Sequence, residues 1–154
     1  MSKIIILRGP YCAGKTTWSL KYCSKNKNTI RLCLKDFIET ISCNTKETTL
    51  RAYIHALYKK SIIEAIKNDI NIIIDNENFT KSSVDTIISI ASRAAEIIEE
   101  ETGDAPFIDI IVKTFETPLS ILMKRNNKMA NSKSPKKIVQ SYQYFNKERN
   151  NDNK

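Results

Sequence analysis

The sequence predicts an α/β protein, a four-stranded parallel sheet flanked by helices on both faces, and three observations lead there. Short apolar runs of strand character recur at residues 3–8, 30–34, 70–74 and 107–112, alternating with longer helix-like segments. The third run is unbroken in Ile except for one Asn, as for a strand covered on both faces. The first run leads directly into Gly9-Pro10-Tyr11-Cys12-Ala13-Gly14-Lys15-Thr16-Thr17, which fits the phosphate-binding pattern G-x-x-x-x-G-K-[ST] at every fixed position. Strand, Gly-rich turn and helix are the setting that this motif requires, so the expectation is a P-loop NTPase or kinase fold.

Each element has its own signal. After the loop, Trp18, Leu20, Tyr22 and Cys23 lie in a segment free of Gly and Pro, which reads as a helix. The second strand ends at Lys35-Asp36, and residues 37–41 read as a short helix. Asn44 followed by Glu47 signals the start of a long helix. Leu50, Ile54, Leu57, Tyr58, Ser61, Ile62, Ala65 and Ile66 form its apolar face, and it stops near Asn68-Asp69. The lone His55 falls off that face and reads as a surface residue. The third strand ends at Asp75-Asn76-Glu77-Asn78. Thr80 or Ser82 then caps a helix with Val84, Ile87, Ile88, Ala91, Ala94 and Ile98 inward, closed by Gly103. Thr117-Pro118 opens a helix that runs to Lys124-Arg125. Residues 126–133 read as a polar loop, and Ser134-Pro135 opens a last helix through Ile138, Val139, Tyr142 and Phe145. From about Lys147 the chain reads as a frayed tail.

A chain of 154 residues has the length of one domain. We divide it into a body, a helical lid at about 124–135 and a basic terminal helix and tail at 135–154. No run approaches the roughly 20 apolar residues of a membrane span, and the first strand follows Met1-Ser2 with no leader-like segment. Cys12, Cys23, Cys33 and Cys43 follow no metal or redox spacing, so reduced thiols and a cytoplasmic location are expected. The net charge is +8, and it is uneven: residues 113–154 hold 10 of the 25 Lys and Arg but only 3 of the 17 Asp and Glu. A basic terminal quarter beside a phosphate site suits a polyanionic partner such as nucleic acid, although Lys-rich tails are also commonly just solvated.

Ligands of parallel α/β sheets sit at the carboxyl ends of the strands. That rule gathers residues 9–17, Lys35-Asp36, residues 75–78 and residues 115–117 on one rim. Gly9, Cys12, Ala13, Gly14, Lys15, Thr16 and Thr17 are the candidate nucleotide-binding set. The amides of residues 13–16 are expected to converge on a β-phosphate, with Lys15 as a solvent-facing group bridging the β- and γ-phosphates. The Thr16 hydroxyl is expected to ligate Mg²⁺, with Asp75 as the second contact to the metal or its water. Asp36 either accepts a proton from an acceptor hydroxyl or caps the short helix. Asn78 either fixes its own loop or touches the acceptor. Arg125 either neutralises charge over the triphosphate or simply favours a helix C-terminus.

The chain resembles the 5′-kinase domain of phage-type polynucleotide kinase-phosphatase. The similar stretches are residues 4–18, including Thr16-Thr17-Trp18, then 34–41, 72–79, Lys124-Arg125-Asn126 and 134–144, in matching order. The resemblance implies ATP and Mg²⁺ as cofactors and the 5′-hydroxyl of DNA or RNA as acceptor. It implies Lys15 and Thr16 at the triphosphate, Asp36 as general base and Arg125 as a lid arginine and catalytic group. The sequence also departs from the family. Ile38 and Glu39 stand where an acceptor-binding arginine is usual, and Met129, beside Lys128, replaces a second lid arginine. The family's aspartate can also be aligned onto Lys35. The expectation is a stand-alone polynucleotide 5′-hydroxyl kinase. The alternatives are a kinase of a nucleoside, nucleotide or other small molecule, and an ATP-binding accessory protein without efficient transfer.

Overall fold

The computed structural model describes residues 1–41 and 48–152. The expected apolar runs become four parallel strands: β1 (Ser2–Arg8), β2 (Thr29–Leu32), β3 (Asn71–Ile74) and β4 (Ile108–Thr114). They lie in the order β2-β3-β1-β4, so the two Ile-rich strands are central. Between and after them run α1 (Lys15–Lys25), α2 (Leu34–Ile41), α3 (Thr48–Lys67), α4 (Lys81–Thr102), α5 (Leu119–Asn127) and α6 (Pro135–Asp152).

Alternation along β1 assigns its side chains to two cores. Ile4 and Ile6 pair in register with Ile72 and Ile74, and this face packs on Tyr58, Ile62, Ala65 and Ile66 of α3 and on Val84, Ile87, Ile90, Ala91 and Ala94 of α4. Ile5, Leu7 and Ile73 face the other way, onto Trp18, Tyr22 and Cys23 of α1. A third cluster joins Ala13 to Leu122 of α5 and Ile138 of α6, which anchors the terminal helices to the Gly-rich loop. Burying each such aliphatic side chain is worth about 1.5–3 kcal/mol.

Several expected boundaries shift. β2 ends at Leu32, and Leu34, Lys35 and Asp36 already belong to α2. The Leu34 amide donates to Asn76 Oδ1 at 2.9 Å, which turns the chain off the ladder. Ile70 closes α3, its amide donating to the Ala65 carbonyl, and does not join β3. β4 begins one residue late, leaving Phe107 68% exposed, and continues to Thr114. On α4, Ile90 is buried and joins the core with Val84, Ile87, Ala91 and Ala94, whereas Ile88 is exposed. Thr80, rather than Ser82, caps α4 by accepting from the Ser83 amide, and Gly103 (φ 80°) ends it. The expected frayed tail is instead helix as far as Asp152, where Arg149 pairs with Glu116 at 3.0 Å. The expected Asn44–Glu47 cap and Cys43 lie outside the described residues. No helix among the described residues is long and apolar enough to cross a membrane.

Candidate active site

The carboxyl ends of the strands open into a cleft of about 1720 Å³, bordered by the Gly-rich loop, α2, α3, the end of β3 and α5. The loop's shape follows from two glycines. Gly9 (φ 154°) passes so close to β4's end that a Cβ there would lie 2.9 Å from the Phe115 carbonyl. Gly14 (φ 97°) is the left-handed residue that starts α1. The close approach at Gly9 is therefore to the protein's own backbone. The amides of Gly14, Lys15 and Thr16 stand in the first turn of α1, where no helical carbonyl reaches them. The Ala13 amide instead turns to the Pro10 carbonyl at 3.4 Å. Thr16 and Thr17 are exposed at the loop's mouth. Cys12 sits in the loop with φ 60°, and burial pushes its thiol up despite nearby Lys133, Lys15 and Arg125.

Lys15 is buried rather than solvent-facing, only 9% exposed. Its ammonium folds back to donate to the Gly9 carbonyl at 2.7 Å and the Pro10 carbonyl at 3.0 Å. Burial pushes its pKa down to about 8, against the pull of Asp75 and Glu77. A lysine whose folded pKa lies below its unfolded 10.5 opposes folding while both states are protonated, at pH below about 8. That penalty, on the order of 3 kcal/mol, is relieved as pH rises from about 8 to 10.5. The unfolding free energy of the ligand-free protein should therefore climb more steeply over that window than that of Lys15→Met. Parallel curves from denaturant titrations would show that Lys15 does not carry this penalty.

Across the cleft, one guanidinium joins two carboxylates. Arg31 of β2 donates from Nε to Asp75 Oδ2 at 2.6 Å and from Nη1 to Asp36. Burial works against its charge, but Asp75 and Asp36 outweigh it and its pKa is raised. The Asp75 side chain is 1% exposed, and Ser19 of α1 also donates to Oδ2, at 3.2 Å. Oδ1 of Asp75 takes none of these bonds. Asp36 is half exposed in the first turn of α2, and its carboxylate is engaged with Arg31.

Asn78 is buried at φ 36° and donates to the Leu7 carbonyl at 2.9 Å, so it fixes its own loop. Asn76 does the same work on the other side, donating to Tyr58 Oη at 2.9 Å. Arg125 lies over the loop, Nη1 donating to the Cys12 and Ala13 carbonyls at 3.2 and 3.0 Å. Buried Asn126 belongs to α5, not to a free loop. Its Nδ2 donates to the Lys133 carbonyl and its Oδ1 accepts the Lys133 amide, both at 2.8 Å, so the intervening segment is pinned at both ends. Met129 touches Cys12, with the sulfurs 3.8 Å apart, and Lys133 Nζ sits 4.2 Å above the Tyr11 ring.

The structure thus brings Cys12, Ala13, Gly14, Lys15, Thr16, Thr17, Asp36, Asp75 and Arg125 to one cleft. Gly9 lies beneath it as packing. Arg31 and Ser19 escape the sequence reading, because a mid-strand Arg and a helical Ser carry no motif. The position of Arg31 just before the end of a rim strand is the one hint available.

Residues 4–143 match the AAA domain family. Among solved structures, a chain of the Pnkp1/Rnl/Hen1 RNA repair complex superposes with a TM-score of 0.77 at 20% identity, over 97% of this chain and 46% of that one. A chain of a second Pnkp1/Rnl/Hen1 complex gives 0.66 at 23% identity, over 86% and 42%. Comparison with curated proteins gives no match. These likenesses show the fold, and the chain spans less than half the length of either neighbour.

Proposed function

Because the chain belongs to the AAA domain family and has a P-loop kinase fold, we propose that it is an ATP-dependent kinase of nucleic-acid 5′-hydroxyl ends. The observation that carries this reading is the Arg31 clamp, which holds Asp36 at the same cleft as the loop and Lys15. A donor site and a candidate base share one space. The RNA repair complexes among the structural neighbours agree with a nucleic-acid acceptor, as does the basic terminal quarter. We take residues 1–154 as one kinase unit, with residues 124–135 as its lid.

The triphosphate fits on physical grounds. A desolvated ammonium held by two carbonyls gains from an anion, and the first-turn amides of α1 belong to the same loop and helix start. In this reading Lys15 leaves the Gly9 and Pro10 carbonyls for the β- and γ-phosphates. Gly14 and Thr17 line the cradle with Cys12 and Ala13, whose carbonyls Arg125 holds. For Mg²⁺ the donor set is oxygen only, the Thr16 hydroxyl and Asp75 Oδ1, as that ion prefers. The metal, when bound, neutralises phosphate charge. Asp36 accepts the hydroxyl proton as the acceptor oxygen forms its bond to the γ-phosphorus. The bond from that phosphorus to the β–γ bridging oxygen breaks in the same step, ADP leaving with that electron pair. Arg125 offsets charge on the phosphates from the lid side.

A second reading, a kinase of a small alcohol, has one observation in its favour: Ile38, not an arginine, borders the cleft beside Asp36. Incubation with γ-labelled ATP and separate panels of 5′-hydroxyl oligonucleotides, 3′-nucleotides and nucleosides decides between them. Label should enter oligonucleotides in preference to single nucleotides, with transfer falling steeply as salt rises. Equal transfer to mononucleotide and strand, indifferent to salt, would transfer the case to the small-molecule kinase.

A further inference from the structure

The sequence places its cations toward the end of the chain, yet among Lys124, Arg125, Lys128, Lys133, Lys136 and Lys137 only Arg125 and Lys133 border the cleft. The other cationic wall is α3. Arg51, His55 and Lys59 recur every four residues, which sets them on one helical face about 6 Å apart along the axis. All three are exposed and all three border the cleft, on the side of Asp36. Their direction is fixed by what lies beneath. Ile54, Tyr58 and Ile62 are buried, the Tyr58 ring meets Phe37 of α2 edge-on at 5.5 Å, and its hydroxyl accepts from Asn76 at the end of β3. The stripe is thus attached to the helix that carries Asp36 and to the loop that follows Asp75.

None of the three pairs with a carboxylate among the described residues. By contrast, Lys35 nearby is engaged with Glu39 at 3.3 Å. Two cations without a carboxylate partner among the described residues, Arg51 and Lys59, with a histidine between them, line one side of a cleft that leads to a candidate base. Such a row matches a chain of phosphates better than a single one. We propose that the Arg51–His55–Lys59 face of α3 is the track for the acceptor's phosphate backbone, doing with several contacts what Ile38 and Glu39 cannot do with one arginine. This inference rests on the kinase reading above and adds where the strand runs.

The test compares two double variants of the full chain, Arg51→Ala/Lys59→Ala and Lys136→Ala/Lys137→Ala, using a 5′-hydroxyl single-stranded oligonucleotide carrying a 3′ fluorophore. All four positions are exposed on helices, and a thermal melt checks that each variant folds. The α3 variant should raise the oligonucleotide KM about tenfold or more and flatten the slope of log affinity against log salt by about 1.4, two phosphates' worth for a single strand. Its KM for ATP, and its kcat at saturating oligonucleotide, should stay at the wild-type values. The Lys136/Lys137 variant should resemble wild type. An active wild type whose oligonucleotide KM and salt slope are unchanged in the α3 variant, or changed more in the other, overturns the track alone. A wild type that neither binds nor labels any oligonucleotide overturns both the track and the kinase reading beneath it.

Discussion

Lys15→Ala should lower phosphoryl transfer by about 10²–10³-fold, the scale of losing one charge-stabilising donor at a reacting centre. The same substitution should leave the melting temperature of the ligand-free protein unchanged or higher at neutral pH. Both halves come from one geometry: the ammonium is nearly buried and its burial holds its pKa near 8, so at neutral pH its charge opposes the fold. Its use must lie in what it binds. Steady-state transfer from labelled ATP, paired with calorimetric melts, reads the two halves separately. Near-normal turnover in the variant would remove the Gly-rich loop as the donor site. A large fall in melting temperature would instead make Lys15 a structural residue that closes the loop through the Gly9 and Pro10 carbonyls.

Asp36→Asn carries the second large effect. Asn keeps the size of the side chain but cannot take a proton, so kcat should fall by about 10²–10⁴-fold while the KM for ATP holds. Arg31 keeps its buried partner Asp75. Asp36 is 49% exposed, so the lost ion pair should cost at most about 1 kcal/mol of stability. A variant that melts lower but turns over normally would reduce Asp36 to a surface partner of Arg31. Unchanged turnover would also revive the alignment of the family's aspartate onto Lys35, which leaves the site without this base.

The sheet was legible because its signals are redundant. Ile runs, the loop pattern, Thr80 and Gly103 each point to the same elements, and they agree. What the sequence hid depends on contacts between distant segments. Nothing local says that Asn76 will capture the Leu34 amide and end β2 early, 42 residues away. Nothing local says that Arg149 will pair with Glu116. The candidate site divides in the same way. The loop residues announce themselves through a motif in contiguous chain. The Arg31 clamp unites β2, α2 and the end of β3, and the α3 stripe becomes visible as a wall only once the helix is docked. The motif puts Lys15 in the loop but says nothing of its burial, since a motif specifies residues and not their solvation.

Gly9 has a consequence for how sequences of this kind drift. A side chain at that position would strike the Phe115 carbonyl whether or not a nucleotide ever binds. Selection for folding alone therefore preserves Gly9. Thr16 and Thr17 are exposed, and folding places little demand on them. In a lineage that abandoned phosphoryl transfer, decay of the motif would start at Lys15 and the two threonines and spare the first glycine. The ancestry of the motif can thus outlive its use, and the lysine and the threonines are where continued use leaves its mark.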